Sequence, residues 1–290
     1  MRWQDRRGSR NVEDRRGQRR AVRPMGVGIG GVLIVLVIAW LTGANPLQLL
    51  QVLSSDDVSG GGDAYEEPGD PPAAAPSDEL GRFASVVLAS TEETWNALLP
   101  RLGASYREPT LVLYRDAWPT ACGLGQSAMG PFYCPGDSKI YLDLSFFDEM
   151  SRRLGAPGDF AQAYVIAHEV GHHVQNLLGI SGQMRQMQQG ARSQAEANDL
   201  SVRLELQADC LAGVWGNAAT GEGLIEPGDF EEGLGAAAAI GDDRLQRESR
   251  GRVSPESFTH GTSEQRMRWL RAGLESGDPD VCETFGSDRL

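Results

Sequence analysis

The residues best suited to catalysis lie in one short stretch of the sequence. Three of the chain's four histidines fall within His168-Glu-Val-Gly-His-His173. His168 and His172 are four residues apart, so on a helix they lie on one face, with about 5–6 Å between Cβ atoms. At that spacing two imidazoles can bind one metal ion, and Glu169 lies beside the open coordination position. The pattern predicts a hydrolytic zinc site with His168 and His172 as ligands and Glu169 as the general base.

A catalytic zinc site needs a third protein ligand, which we expect downstream. Glu205 and Asp209 are also four residues apart, on a second predicted helix that is otherwise apolar. Buried carboxylates need a partner because burying a charge is costly. Glu205 is the candidate ligand, and Asp209 is placed to hydrogen-bond a ligand imidazole from behind.

Each of these residues also has a simpler interpretation. The two histidines could be hydrogen-bonded core residues, and Glu205 could be a solvated surface acid. The acidic residues between and after the histidines favour the metal site over both. His173 is rotated by about 100° from His172 on a helix, so we expect it to have a structural or supporting role rather than to be a ligand.

The elements that must hold these residues are mostly helical. Hydrophobic periodicity predicts helices at residues 79–88, 91–100, 160–178, 192–218, 230–246 and 262–277. Alternating β-branched and aromatic residues predict strands at residues 109–116 and 139–146. The predicted class is α+β, helix-dominated with a small sheet, in one domain over residues 80–290. The strand at 139–146 could form the sheet edge above the cleft, where an extended substrate would pair with it. Residues 130–135 could line the cleft instead.

Charge and hydropathy divide the chain before that domain. The net charge of −13 argues against a nucleic-acid partner. Residues 1–24 carry nine arginines and three acidic residues, a net charge of +6, so the other 266 residues carry −19. Residues 25–44 are mostly apolar and long enough to span a bilayer as a helix. Residues 45–79 form an acidic linker rich in Gly and Pro.

The arginines before the apolar segment predict the orientation of the chain in a membrane. We expect a single-pass protein with residues 1–24 as a cytoplasmic tail and the domain outside the cytoplasm. The alternative is a cleavable signal peptide, for which Thr42-Gly43-Ala44 offers small residues at the cleavage site. The apolar segment is long for such a signal.

All four cysteines fall on the predicted extracytoplasmic side, where disulfides persist. We expect a Cys122–Cys134 disulfide, which closes a short loop rich in Gly and Pro between the two predicted strands. A Cys210–Cys282 disulfide would then attach the C-terminus to the second predicted helix. The alternative for Cys210 is a buried thiol.

The motifs together resemble a known group of enzymes. Ala167-His-Glu-Val-Gly-His-His-Val-Gln175 with the later Glu205-Leu-Gln-Ala-Asp209 looks like a gluzincin-type zinc peptidase. More closely, the chain is similar to a bacterial family of neutral zinc metallopeptidases with one N-terminal membrane anchor. The similarity also covers residues 11–17, 121–123, 130–135, 141–147, 158–161 and 260–267. The resemblance implies a zincin-like fold, one Zn²⁺ per chain, the ligands His168, His172 and Glu205, and Glu169 as general base.

The segment Phe258–Arg266 is similar to a His-Pro…Arg segment that lies against the active site of membrane-bound gluzincins, with Gly261 in place of the proline. By this resemblance, His260 would donate to the oxyanion of the tetrahedral intermediate. Arg266 would pair with Asp209 or bind a substrate carboxylate. The alternative for His260 is a helix-entry residue before the N-cap at Thr262.

These observations favour a membrane-anchored zinc endopeptidase that cleaves extracytoplasmic proteins. Its partners would be a peptide or protein substrate and the lipid bilayer, through one helix. The competing interpretation is a zinc-binding but proteolytically silent scaffold or chaperone domain, which would have no need for Glu169. A serine or cysteine hydrolase is disfavoured, because no Gly-x-Ser-x-Gly sequence occurs and the cysteines are expected to pair.

Overall fold

The computed structural model describes residues 1–18, 75–127 and 130–290. The strands are β1 (Val12–Asp14), β2 (Thr110–Tyr114), β3 (Ala117–Thr120), β4 (Gly123–Gln126), β5 (Phe132–Cys134) and β6 (Lys139–Asp143). The helices are α1 (Glu79–Leu98), α2 (Ser145–Arg152), α3 (Asp159–Leu177), α4 (Ile180–Gln189), α5 (Gln194–Gly221), α6 (Asp229–Ala239), α7 (Asp242–Arg250) and α8 (Ser263–Ser276). The described fold is helix-dominated α+β, as the sequence predicts.

The main sheet has four strands in the order β1-β2-β6-β5. β1, β2 and β6 run parallel, and β5 pairs antiparallel with β6. β3 and β4 form a separate antiparallel hairpin. β6 is therefore an interior strand, so the prediction that residues 139–146 form the sheet edge at the cleft is wrong. β5, within the alternative segment 130–135, ends the sheet.

The helices pack closely around α5. A Cβ added at Gly213 of α5 would collide with the carbonyl oxygen of Leu270, and one at Gly273 of α8 would collide with the carbonyl oxygen of Cys210. The two helices therefore cross backbone to backbone. This crossing brings the start of α8 beside the middle of α5, where Asp209 lies.

Several helix boundaries differ from the predictions for identifiable reasons. α1 is one helix through Ser90 and Thr91, whose hydroxyls do not cap a new helix. Thr91 donates to the carbonyl of Leu88 at 2.7 Å, and Ser90 accepts from the indole of Trp215 at 3.0 Å. The helix predicted over 230–246 divides at Gly241 into α6 and α7.

The N-terminal residues are part of the domain. Met1–Gly17 belong to the same compact unit as residues 71–290. β1 extends the main sheet, and Met1, Trp3 and Val12 are buried. The ring of Trp3 meets that of Phe83 edge-on at 5.4 Å. The prediction of residues 1–24 as a tail separate from the domain is therefore wrong for residues 1–17.

Arg2 and Arg7 of this segment have partners on the acidic domain. Arg2 pairs with Glu226 and Arg7 with Glu93, each at 2.9 Å. A charge pattern that predicts orientation in a membrane thus also fits docking onto an acidic surface.

The predicted membrane-spanning segment, residues 25–44, lies outside the described residues, as does most of the predicted linker. Among the helices of residues 1–18, 75–127 and 130–290, none is both long and apolar enough to cross a membrane.

Both predicted disulfides are present. Cys122 and Cys134 join the turn between β3 and β4 to the end of β5, with 5.8 Å between their Cα atoms. Cys210 and Cys282 join α5 to a short 3₁₀ turn near the C-terminus, 72 residues later. The second disulfide lies one residue from Asp209 and so helps to fix that part of α5.

Candidate metal centre

Three side chains with metal-ligating atoms converge where α3 passes α5. The Nε2 atom of His168 lies 3.1 Å from one carboxylate oxygen of Glu205, and the Nε2 atom of His172 lies 3.4 Å from the other. One ligand atom from each residue lies within 4.8 Å of the others. The i, i+4 spacing on α3 places both imidazoles on the face that meets α5.

This donor set fits a zinc ion. Ligand bonds of about 2.0–2.1 Å in a tetrahedral site put neighbouring ligand atoms roughly 3.3 Å apart. The separations from Glu205 to the two imidazoles lie close to that value. Two imidazoles and one carboxylate, with a side open to a cleft, form the three-ligand set of a catalytic zinc site.

The second nitrogen of each imidazole is held by an oxygen acceptor. Nδ1 of His168 lies 2.9 Å from Asp209, and Nδ1 of His172 lies 2.9 Å from the amide oxygen of Gln175. Gln175 is fully buried and donates through its own nitrogen to the carbonyl of Leu204 at 2.7 Å, which fixes its oxygen toward His172. These acceptors favour a proton on Nδ1 of each ring, which would leave Nε2 to bind a metal ion.

Asp209 is itself held in a buried network. Arg266 donates to its two oxygens, each at 2.8 Å, and Tyr164 donates at 2.5 Å. Burial raises the pKa of Asp209, but Arg266 and His168 outweigh burial and lower it to about 2. Asp209 thus stays ionised as the acceptor for His168. Arg266, only 2% exposed, is paired with Asp209 rather than turned toward a substrate.

Glu205 is ionised for a similar reason. Burial favours its neutral form, yet His172 and His168 hold its pKa well below the usual range. Zinc coordination requires the same ionised carboxylate.

An open cleft of about 530 Å³ leads to the cluster. Glu169, the residue after His168, lines this cleft together with the three candidate ligands. The cleft walls are largely apolar and include Phe132, Tyr133, Phe146, Val165, Met184, Leu204 and Leu245. Residues 130–133 and Pro135 line it, so β5 is the part of the main sheet beside the cluster.

His173 lies outside the cluster, in the structural position expected from its rotation on the helix. Its Nε2 donates to the carbonyl of Arg107 at 2.6 Å, and its Nδ1 lies 3.0 Å from the hydroxyl of Tyr133. Burial lowers the pKa of His173. The residue thus connects α3 to β5, one wall of the cleft.

His260 lines the same cleft and is 53% exposed at its side chain. Its Nδ1 lies 3.3 Å from Asp242, and the hydrogen bond to that carboxylate raises the pKa of His260. Asp242 also accepts the backbone N–H groups of Thr259 and His260, each at 2.7 Å. One carboxylate therefore fixes both the loop and the ring.

A glycine between the histidines permits the cluster to form. A Cβ added at Gly171 would lie 2.9 Å from the carbonyl oxygen of Ala208 and 3.1 Å from its Cα atom. Any side chain here would force α3 and α5 apart. Because Glu205 and Asp209 lie on α5, this close contact brings them to His168 and His172.

We expect Gly171→Ala to destabilise the fold by about 1–3 kcal/mol, the usual cost of overpacking a core, and to weaken zinc binding. The matched control is Gly235→Ala, which is an exposed glycine inside α6 with no atom within 4 Å of the added Cβ. There the change should stabilise by up to about 1 kcal/mol through helix propensity. Urea unfolding measures both. If both changes raised the free energy of unfolding by the same amount, the close contact at Gly171 would be contradicted.

Comparison with known proteins bears on the whole chain. A family model described as "Putative neutral zinc metallopeptidase" matches residues 1–285. The chain belongs to this family. The match to the zinc metallopeptidase family includes the N-terminal segment that packs on the domain as well as the metal cluster.

Two relatives of the chain come from different bacteria. The uncharacterized protein YpfJ of Escherichia coli K12 is 52% identical over 291 residues, which cover 99% of each chain. The uncharacterized protein Mb2605 of Mycobacterium bovis is 43% identical over 212 residues, which cover 69% of each chain. No solved structure matches this chain.

The structure adds three residues that sequence reasoning did not single out. Gln175 lies three residues after His172 and Tyr164 four residues before His168, so the helical spacing on α3 was the signal available for both. Asp242 had no such signal, because it reaches His260 from a separate helix 18 residues earlier.

Proposed function

We propose that this chain is a zinc-dependent endopeptidase that hydrolyses peptide bonds. The single observation that carries the proposal is the cluster of His168, His172 and Glu205 with Glu169 beside it in an open cleft. Membership of a family described as zinc metallopeptidases supports the metal and the reaction class. One Zn²⁺ per chain, held by the three ligands, completes the proposal.

Each residue at the site has a separate role in the proposed reaction. Zinc, when bound, polarises the scissile carbonyl and acidifies a water. Glu169 accepts a proton from the attacking water and then delivers it to the leaving amine. Asp209 and Gln175 hold the two imidazoles in the tautomer that presents Nε2. Arg266 acts by keeping Asp209 charged and in place.

His260 is the proposed donor to the oxyanion. Nδ1 of His260 lies 3.0 Å from the hydroxyl of Thr259 and 3.3 Å from Asp242, so Nε2 is the atom left to donate to the negative charge that develops on the carbonyl oxygen. The position of the ring on the cleft wall supports this role.

We expect His260→Phe to lower kcat by about 100-fold, the usual effect of removing one oxyanion donor, with little change in KM. Zinc content should stay at the wild-type level. A His260→Phe enzyme with full turnover would remove His260 from the mechanism and leave it as a residue at the entry to α8.

An extended substrate can add to the sheet at β5. This strand ends the main sheet and lies beside the metal cluster, so a peptide paired with it would cross the cleft with its carbonyls near Glu169. The open shape of the cleft favours cleavage within a chain over removal of single terminal residues.

The proposed location is outside the cytoplasm, because the chain contains two disulfides and such bonds persist in oxidising compartments. Residues 1–17 would lie there together with the domain. Contact with the bilayer through residues 25–44 stays a prediction.

The test is peptide cleavage by the purified full chain, since a fragment that starts at residue 80 would lack β1. We expect cleavage of a peptide library, loss of cleavage on chelation and recovery on addition of zinc. A chain that binds zinc and cleaves no peptide would instead favour the silent scaffold.

A further inference from the structure

The charged side chains that line the cleft have uses within the site, with one exception. Glu205 lies against the two imidazoles, Glu169 is placed for proton transfer, and Arg266 is paired with Asp209. Arg185 also lines the cleft, and its side chain is exposed. Within the part of the chain that the structure describes, Arg185 forms no ion pair and no hydrogen bond through its side chain.

The backbone that carries Arg185 is firmly placed. α4 begins at Ile180, three residues after the end of α3. Ser181 and Met184 are buried on its inner face. Gln188 donates to the carbonyl of Ala197 at 3.0 Å and to the hydroxyl of Ser201 at 2.9 Å, which attaches α4 to α5. Arg185 therefore has a fixed backbone in the cleft that the candidate metal ligands also line, and an unpaired guanidinium.

The charge and polarity around Arg185 favour an acidic ligand for its guanidinium. The chain is acidic overall, with 40 Asp and Glu against 27 Lys and Arg, and several of its arginines pair with those acids. The cleft that Arg185 lines is largely apolar, with Met184 and Phe146 among its walls. A guanidinium left unpaired in such a cleft binds planar carboxylates through two parallel hydrogen bonds.

We propose that Arg185 binds a carboxylate of the substrate and so makes the enzyme prefer peptides that carry one near the scissile bond. This inference rests on the proposed endopeptidase function, whose substrate class it specifies. The carboxylate has two sources: the side chain of Asp or Glu, and the free C-terminus of a peptide. Arg185 is a specificity residue and takes no part in the proton transfers assigned to Glu169.

Binding is measured first, with the full-length, zinc-loaded Glu169→Gln protein and fluorescent peptides. The peptides form matched pairs, with Asp against Asn at each of six successive positions and a C-terminal acid against an amide. We expect one position, or the C-terminus, to favour the acid by about tenfold, the effect of one charge-assisted hydrogen-bonded pair worth about 1.4 kcal/mol. Which pair shows the preference identifies the source of the carboxylate.

The preference should disappear in Arg185→Gln and reverse toward the Asn or amide member of the pair in Arg185→Glu. The matched control is Arg271→Gln, which removes an exposed arginine from α8 outside the cleft and should leave the preference intact. Cleavage is a second measurement, made with proteins that retain Glu169. Arg185→Gln should raise KM for the preferred peptide while kcat stays the same, because the interaction is equal in the ground and transition states.

The outcomes separate the two claims. Equal affinity within every pair, or a preference that survives Arg185→Gln, would overturn the role of Arg185, and cleavage of the same peptides would leave the endopeptidase function standing. Carboxylate binding that depends on Arg185 in a chain that cleaves nothing would overturn the proposed reaction and keep the binding site. A fall in kcat with unchanged KM would place Arg185 in transition-state stabilisation and contradict the specificity role.

Discussion

Glu169→Gln is expected to abolish peptide cleavage while leaving the zinc in place. Glutamine keeps the size and polarity of glutamate but cannot accept a proton from the attacking water. General acid–base catalysis contributes about 10²–10⁴-fold, so kcat should fall by at least about 100-fold. Because Glu169 is not one of the three clustered ligands, zinc per chain should match that of the wild type. Initial rates on a quenched peptide and metal analysis of the same sample measure both.

The matched control for this experiment is Glu275→Gln, which makes the same chemical change at an exposed position on α8. It should cleave at the wild-type rate. If Glu169→Gln retained more than a tenth of wild-type turnover, Glu169 would not be the general base. If it lost zinc as well as activity, Glu169 would act in metal binding, and the ligand set would need revision.

Asp209→Asn is expected to cause the largest loss of stability of any single change at the site. Asp209 is fully buried and accepts from Arg266, which is itself only 2% exposed. Asparagine keeps the shape but leaves the guanidinium as an uncompensated buried charge, which costs about 3–5 kcal/mol. Urea unfolding with chelator present measures this cost without a contribution from zinc.

A double-mutant cycle identifies the source of that loss. Arg266→Met removes the buried cation and retains an apolar stem of similar length. If the ion pair is responsible, Asp209→Asn with Arg266→Met should be less destabilised than the sum of the two single changes by at least about 1 kcal/mol. An Asp209→Asn protein within about 1 kcal/mol of wild type would show that the pair contributes little to the fold.

The centre of the site was predictable because its signal is local. Two histidines and a glutamate on one helical turn restrict the chemistry strongly, and a second i, i+4 acidic pair on an apolar helix needs a partner. The cluster of His168, His172 and Glu205 has the arrangement expected from those spacings. The capping sequence at Thr262 was equally local, and α8 begins there with Thr262 and Gln265 bonded reciprocally.

The parts that sequence reasoning missed depend on long-range contacts. The alternation of apolar and polar residues along one strand does not show which strands lie beside it. The position of β6 inside the sheet could therefore not be predicted from its own residues. The N-terminal arginines fit two physical situations, a membrane surface and an acidic protein surface, and their own sequence does not show the contacts that Arg2 and Arg7 make with the domain. The partner of His260 was missed because Asp242 lies on another helix.

The most direct test of the central claim is the zinc content of the purified full chain, measured for wild type, Glu205→Gln and the control Glu275→Gln. We predict about one zinc per chain in wild type and control, and a loss of zinc in Glu205→Gln, because a neutral amide is a poor zinc ligand. Circular dichroism should show that the Glu205→Gln chain is folded. A folded wild type with no zinc, or a Glu205→Gln chain that retains it at full affinity, would contradict the three-ligand site on which the proposed function rests.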